Sequence, residues 1–391
     1  MNREPLLLIA VESPFSERDR QRFDIERLTQ RFKVQIIDLS PVAQPVLHEL
    51  RSDTSIDESH LLVIRSLEQL ESLFETINGG ALISNLGVGK IRHELFRLAR
   101  IHKLLIAEFE LGAMPDIADH QRSFCSRAVQ RIRQLPSIWQ LPKTILNRMR
   151  LQDSYGDLPD VFYRGGRLAR GRHPQLGSVI VDVHSFDYEL ARTIDRSSLG
   201  SDPSRIVYLD QNLGFHSDVP GLGLKQPVSA HNFYPLINEY FDWLETEHGL
   251  HVVICPHPRA RVSATRYRFP GKEISESPTA VEVARSGIVC GHVSTSFSFA
   301  VIFRKPALIL TSAELSHSWY APYIKSFGEK LAAPLVNLSV QTSWKAPSPY
   351  INAHQEALYD QYEINYLNSS VSPTRRLWDQ ISDDIFERTQ R

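Results

Sequence analysis

Two short runs in the second half of the chain carry residue types that handle phosphate. In Pro256-His257-Pro258-Arg259 two prolines fix the backbone on either side of an imidazole, so the ring has little conformational entropy left to lose on meeting a ligand. A histidine held there hydrogen-bonds a phosphate or, if protonated, neutralises charge on a departing phosphorylated group. Arg259 adds a permanent charge beside it. In Gly291-His292-Val293-Ser294-Thr295-Ser296 three hydroxyls stand directly before the apolar run Phe297 to Phe303. A helix beginning there offers free backbone N–H groups and a partial positive charge. Each run also has a plainer reading: a turn whose His and Arg cap neighbouring helices, and an ordinary Ser or Thr N-cap. Their pairing is what points to a ligand site, with Pro256, His257, Pro258, Arg259, His292, Ser294, Thr295 and Ser296 as candidate contacts.

Proton transfer asks for a carboxylate within reach of an acceptor hydroxyl. Three candidates stand at the ends of apolar, strand-like runs: Glu110 in Glu108-Phe109-Glu110-Leu111-Gly112, Asp210 in Asp210-Gln211-Asn212, and Glu12. We rank them in that order. Each is also explained as a helix N-cap or a surface carboxylate.

The elements that must position these groups follow from hydrophobic periodicity. Strand-length apolar runs alternate with longer amphipathic segments, the pattern of parallel sheets covered by helices. In the first half the runs are Leu6 to Val11, Val34 to Leu39, Leu61 to Ile64, Ala81 to Ser84, Lys103 to Ala107, Asp160 to Tyr163 and Ser178 to Val183. Helices are predicted over Asp19 to Arg31, Ser66 to Ile77 and Lys90 to Ile101. The punctuated stretch Asp195 to Ser204 reads as a linker. A second series then runs through Arg205 to Leu209, a helix from Asn232 to Glu247, Val252 to Cys255, Gly287 to Cys290, a helix from Ser296 to Phe303, and Ala307 to Leu310. In open α/β sheets ligands bind beyond the carboxyl ends of strands, which is where both phosphate-handling runs fall.

Composition sets the outer bounds. At 391 residues the chain exceeds one ordinary core, so two domains are expected: 1–198, and 199–391 with C-terminal helices. A formal net charge of −1 argues against nucleic acid as the partner. Three dispersed cysteines, Cys125, Cys255 and Cys290, fit a reducing, cytoplasmic setting, and the absence of CxxC and HExxH spacing argues against a metal centre. No run approaches the roughly 20 apolar residues of a membrane span. Between Asp119 and Asp153 lie seven basic residues and no acidic one, from Arg122 to Arg150, interleaved with aromatic and aliphatic side chains. That insertion reads either as a solvated helical face or as a dock for an anionic inner-membrane surface or lipid-linked acceptor.

The segment Ile254-Cys255-Pro256-His257-Pro258-Arg259, with Gly291 to Ala300 and Lys305-Pro306, resembles the HP and Ser/Thr motifs of bacterial GT-B glycosyltransferases. These are sialyltransferases, polysialyltransferases, Kdo transferases and surface-carbohydrate biosynthesis proteins. The resemblance implies two Rossmann-like domains facing across a cleft, the first on the acceptor side and the second holding the donor. It also implies a metal-independent transfer, with no cofactor, of a nonulosonic acid or Kdo-like sugar from a CMP donor to a glycan or glycolipid. Donor contacts are then implied from His257, Ser294, Thr295 and Ser296. Tyr208-Leu209-Asp210-Gln211 is similar to the strand-end element that opens the donor domain, which adds Gln211. The family's paired acidic residues before Gly are only approximated by Glu108 to Gly112, so the base is open. UDP- or CDP-activated donors (for sugar transfer, 2-epimerisation or polyol-phosphate transfer) and a non-catalytic nucleotide- or glycan-binding module are the alternatives.

Overall fold

The computed structural model describes residues 4–45, 48–49, 60–115, 158–169, 177–216, 219, 224–258, 260–369 and 375–390. The basic segment 122–150 and Arg259 lie outside the described residues.

The chain forms two units, each built on an open, wholly parallel sheet. The first sheet holds β1 (Leu6–Val11), β2 (Lys33–Asp38), β3 (Leu61–Val63), β4 (Gly80–Asn85), β5 (Leu104–Glu110), β6 (Val161–Arg164) and β7 (Val179–Asp182). Its order is β3-β2-β1-β4-β5-β6-β7. The second holds β8 (Asp202–Leu209), β9 (His251–Cys255), β10 (Glu273–Ile274), β11 (Ser286–Gly291), β12 (Ala307–Thr311) and β13 (Leu335–Asn337), in the order β10-β9-β8-β11-β12-β13. In both, three strands run outward from the first and the fourth restarts on its other side. This is the Rossmann-like order, and it leaves a topological switch point between β1 and β4 and another between β8 and β11.

The apolar runs form strands because helices cover both sheet faces. In β1, Leu7, Ile9 and Val11 enter one core, while Leu8 and Ala10 enter the opposite one. The second of these cores takes Leu70 and Phe74 from helix Leu67–Glu75, and Leu95, Phe96, Leu98 and Ala99 from helix Lys90–Ile101. The helix predicted over Asp19 to Arg31 is divided. Glu17–Phe23, started by a Ser16–Asp19 capping box, stops at Asp24, whose φ of 47° no α-helix continues through.

The compact units of the chain do not divide at 198/199. The first unit takes the described residues of 1–112, 139–186 and 368–391, and the second includes 187–367. The expected linker instead contains helix Arg196–Leu199 and the start of β8. Helix Leu377–Thr389 returns to the first unit because its apolar stripe has a core to enter there. Leu377, Trp378, Ile381 and Ile385 join Leu7, Ile9 and Phe23. The Trp378 ring lies 5.6 Å from that of Phe23 and 6.4 Å from that of Phe109, and its indole N–H donates to the Arg22 carbonyl at 2.6 Å.

Candidate functional site

The carboxyl ends of β9, β8 and β11 gather the residues singled out in the second half of the chain. Strand β8 lies between the other two. At about 4.8 Å per strand spacing, the strands that lead into the His257 turn and the hydroxyl loop are about 10 Å apart. Pro256 and His257 follow β9 directly, both half-buried, and Pro258 is exposed. The His257 carbonyl accepts the Ala260 N–H at 2.8 Å, closing the turn. Its ring lies beside that of His216, with centroids 4.9 Å apart and planes at 61°.

The hydroxyl loop leaves β11 through Gly291. A methyl group on Gly291 would stand 3.2 Å from a Phe297 ring carbon, so glycine leaves room for that ring to pack under the loop. Ser294 Oγ accepts the Ser296 N–H at 3.2 Å, Thr295 is exposed, and Ser296 enters helix Phe297–Ile302 without a side-chain cap. Gln211 fastens this loop across the switch point. Its Oε1 accepts the Val293 N–H at 3.0 Å and lies 3.1 Å from the Tyr320 hydroxyl, which is also 3.1 Å from the Val293 carbonyl. Gln211 is therefore a staple first, with its amide nitrogen as the part able to meet a ligand. The first unit repeats the device: Glu12, just beyond β1, accepts the Gly87 N–H beyond β4 at 2.6 Å.

Two expectations are corrected by burial. His292 is wholly enclosed. A carbonyl only accepts, so Nδ1, 2.7 Å from the Leu310 oxygen, carries the proton, and Nε2 accepts from the Tyr208 hydroxyl at 3.2 Å. Burial holds this imidazole down at about 4, so it is a neutral core histidine and not a donor contact. Asp210 is also buried, its side chain only 1% exposed, which takes it out of reach of a substrate hydroxyl. Burial raises its carboxyl, against the lowering pull of the backbone N–H of Asn212 (2.9 Å to Oδ1), of Arg268 (3.9 Å to Oδ2) and of the backbone N–H of His257. Asp210 thus ties the β8 loop to the His257 turn.

Beneath this loop, Arg268 bonds Thr265 Oγ1 at 3.2 Å, the Tyr234 hydroxyl at 2.8 Å and the Asn212 side-chain oxygen, which holds Asn212 at a φ of 54°. In the first unit, Glu108 is bound by the buried Arg92 at 2.7 and 3.0 Å. Glu110 closes β5, half-buried, and its carbonyl accepts the Gly165 N–H at 3.0 Å. Among the described residues no cluster of three His, Cys, Asp or Glu side chains could hold a metal ion. His216, Tyr320 and Arg268 were not anticipated. The contacts that matter reach far along the chain: from Tyr320 to Gln211 and Val293, 109 and 27 positions away, from Arg268 to Tyr234, 34 away, and from His216 to a ring on another strand's loop.

No protein-family model matches the chain, and no curated protein matches it. Solved structures do. The wall teichoic acid polymerase TagF is similar at a TM-score of 0.55 and 10% identity, over 98% of this chain and 89% of that one. The same polymerase, as a variant soaked with CDPG, gives 0.52 and 10%, over 98% and 88%. A protein described as a UDP-N-acetylglucosamine 2-epimerase from Listeria monocytogenes gives 0.50 and 12%, over 100% and 98%. The chain has the GT-B fold. At these identities the likeness shows the fold alone. Among the described residues no helix is long and apolar enough to cross a membrane.

Proposed function

We propose that the chain is a metal-independent GT-B transferase that moves a sugar or related group from a nucleotide-activated donor to a surface glycan or glycolipid. The donor sits on the second unit, with its phosphate against the His257 turn and the Ser294 to Ser296 loop. One observation carries this reading. Two runs chosen for their phosphate chemistry flank β8 on one edge, beside the switch point where open sheets of this order take ligands. Solved structures sharing the fold carry CDPG or a UDP-sugar in their descriptions, which supports a diphosphate-linked donor.

A CMP-linked nonulosonic or Kdo-like sugar is the second reading. It is favoured by the commitment of Arg268 and His292 to the fold, which leaves an imidazole and alcohols as the phosphate-handling groups among the described residues of the two runs. Glu110 is the proposed base for the acceptor hydroxyl, and segment 122–150 the proposed membrane or acceptor contact.

Thermal unfolding with CDP, UDP and CMP in EDTA tests the donor site. A ligand at 100 times its Kd stabilises by about 2.7 kcal/mol. CDP or UDP is expected to raise Tm and His257→Ala to remove the shift together with turnover. A response to CMP alone selects the second reading, and none to any nucleotide refutes the site. Glu110→Gln is expected to abolish turnover while nucleotide binding persists. A His257→Ala variant that turns over normally sinks the catalytic reading in favour of a binding module.

A further inference from the structure

We propose that His216 is a second phosphate-binding imidazole, gripping with His257 one phosphoryl group of the nucleotide. This rests on the donor reading above and extends it to a residue that no motif marks. The two rings come from loops on adjacent strands, β8 and β9, yet stand 4.9 Å apart and half-buried at the carboxyl edge. A neutral imidazole presents one N–H and a protonated one two. With centroids 4.9 Å apart, the two rings can both reach a group with several oxygens around one centre, and a phosphoryl group is such a group.

The pairing is held from below, not left to surface packing. Asp210 takes the backbone N–H of Asn212 at 2.9 Å on its carboxylate and gives its own N–H to the Cys255 carbonyl at 3.0 Å, so one residue ties the roots of both loops. Asn212 Nδ2 donates to the Phe215 carbonyl at 3.2 Å, closing the turn that delivers His216. The His216 carbonyl then accepts Gln226 Nε2 at 2.9 Å and the Val219 N–H at 3.3 Å. Bonds on both sides of His216 therefore set where its ring emerges. Fixing a polar ring at a sheet's ligand edge adds little apolar burial, whereas a prepositioned pair of donors spares a ligand the entropy of ordering them.

Calorimetric titration in EDTA of CDP, UDP and CMP, with cytidine and uridine as phosphate-free controls, tests this on the intact chain. His216→Ala is expected to weaken nucleotide binding about tenfold or more. His216→Gln, which restores an N–H, should recover part of the loss. Nucleoside binding should not change, which a merely structural role for His216 would not predict. The double variant with His257→Ala should lose less than the product of the single losses, because the two rings act on one group. Nucleotide binding that His257→Ala weakens and His216→Ala leaves within about twofold overturns this inference and spares the donor site. Equal losses for nucleotide and nucleoside overturn it too. A wild-type chain that binds no nucleotide overturns both.

Discussion

Whether His292 touches a ligand or only holds the core together can be decided by its proton. In the unfolded chain an imidazole is half-protonated near pH 6.5, whereas burial holds His292 down at about 4. Between those values the unfolded state binds a proton that the folded state refuses. The stabilisation from the neutral ring is therefore whole above pH 6.5 and drains away as pH falls towards 4. A difference of about 2.5 in pKa, at 1.36 kcal/mol for each, makes this loss about 3 kcal/mol. The perturbation is His292→Asn. Its amide can donate to Leu310 in place of Nδ1–H but leaves the buried Tyr208 hydroxyl without its acceptor, a penalty of about 1–3 kcal/mol that does not depend on pH. Urea unfolding of wild type and variant at pH 7.5 and at pH 4 gives the assay. Other titrating groups act alike in both proteins and cancel in the difference. The advantage of the wild type should shrink by about 3 kcal/mol between the two pH values. A difference that stays constant, or a variant of unchanged stability that no longer binds nucleotide, refutes the reasoning.

Gln211→Glu keeps the acceptor for Val293 but sets a negative charge beside the proposed phosphate. At about 6 Å and an effective dielectric near 20 this opposes binding by about 3 kcal/mol, so calorimetry should show nucleotide affinity falling about a hundredfold, while Glu12→Gln leaves it unchanged. Trp378→Ala should destabilise by about 3–5 kcal/mol in urea titration, since the ring fills the core shared with Phe23 and Phe109. Glu108→Gln leaves the Arg92 guanidinium buried without its counter-charge. A loss of about 3–5 kcal/mol is expected, and Arg92→Met with Glu108→Gln should restore part of it, by the same measurement.

The parallel α/β character of both halves was open to reading because buried strands and one-faced helices leave local patterns. Lys90–Ile101 and the runs that became β1, β5, β9, β11 and β12 lie where their apolar spacing puts them, within a few residues. What periodicity cannot say is which sheet a helix joins. The stripe Leu377, Trp378, Ile381, Ile385 would suit either core, and only the folded chain shows it closing the first. Strand β10 is two residues long and leaves no periodic trace. The tip motifs misled where neighbouring residues leave a strand end in opposite directions. His292 turns inward to Tyr208 and Leu310, whereas Ser294 and Thr295, two and three positions on, reach the surface. Asp210 drew notice as a carboxylate at a strand tip, but its side chain is only 1% exposed, with Oδ1 accepting the Asn212 N–H and Oδ2 lying 3.9 Å from Arg268.

The shared architecture of the two units bears on the proposed placement of the donor on the second. Each has a side chain just past its first strand stapling the loop past its fourth, so backbone geometry does not distinguish them. Charge does. Around the first switch point the staple is Glu12, and Asp38, Glu108 and Glu110 stand at the ends of β2 and β5. Asp38 and Glu108 are already bonded, to the N–H groups of Phe15 and Ser40 and to Arg92, yet all four carry like charge to a phosphate. Around the second the staple is the neutral Gln211, the hydroxyls of Ser294 to Ser296 and two imidazoles lie on the same edge, and the carboxylate at the end of β8, Asp210, is sunk beneath them beside Arg268. A dianionic group approaching the first tips meets like charge from Glu12 and Glu110, while that of Glu108 is offset by Arg92. A neutral hydroxyl has the opposite preference, since losing its proton requires a carboxylate. That contrast is what the proposed transfer from nucleotide to glycan requires, a phosphate on the second unit and an alcohol on the first.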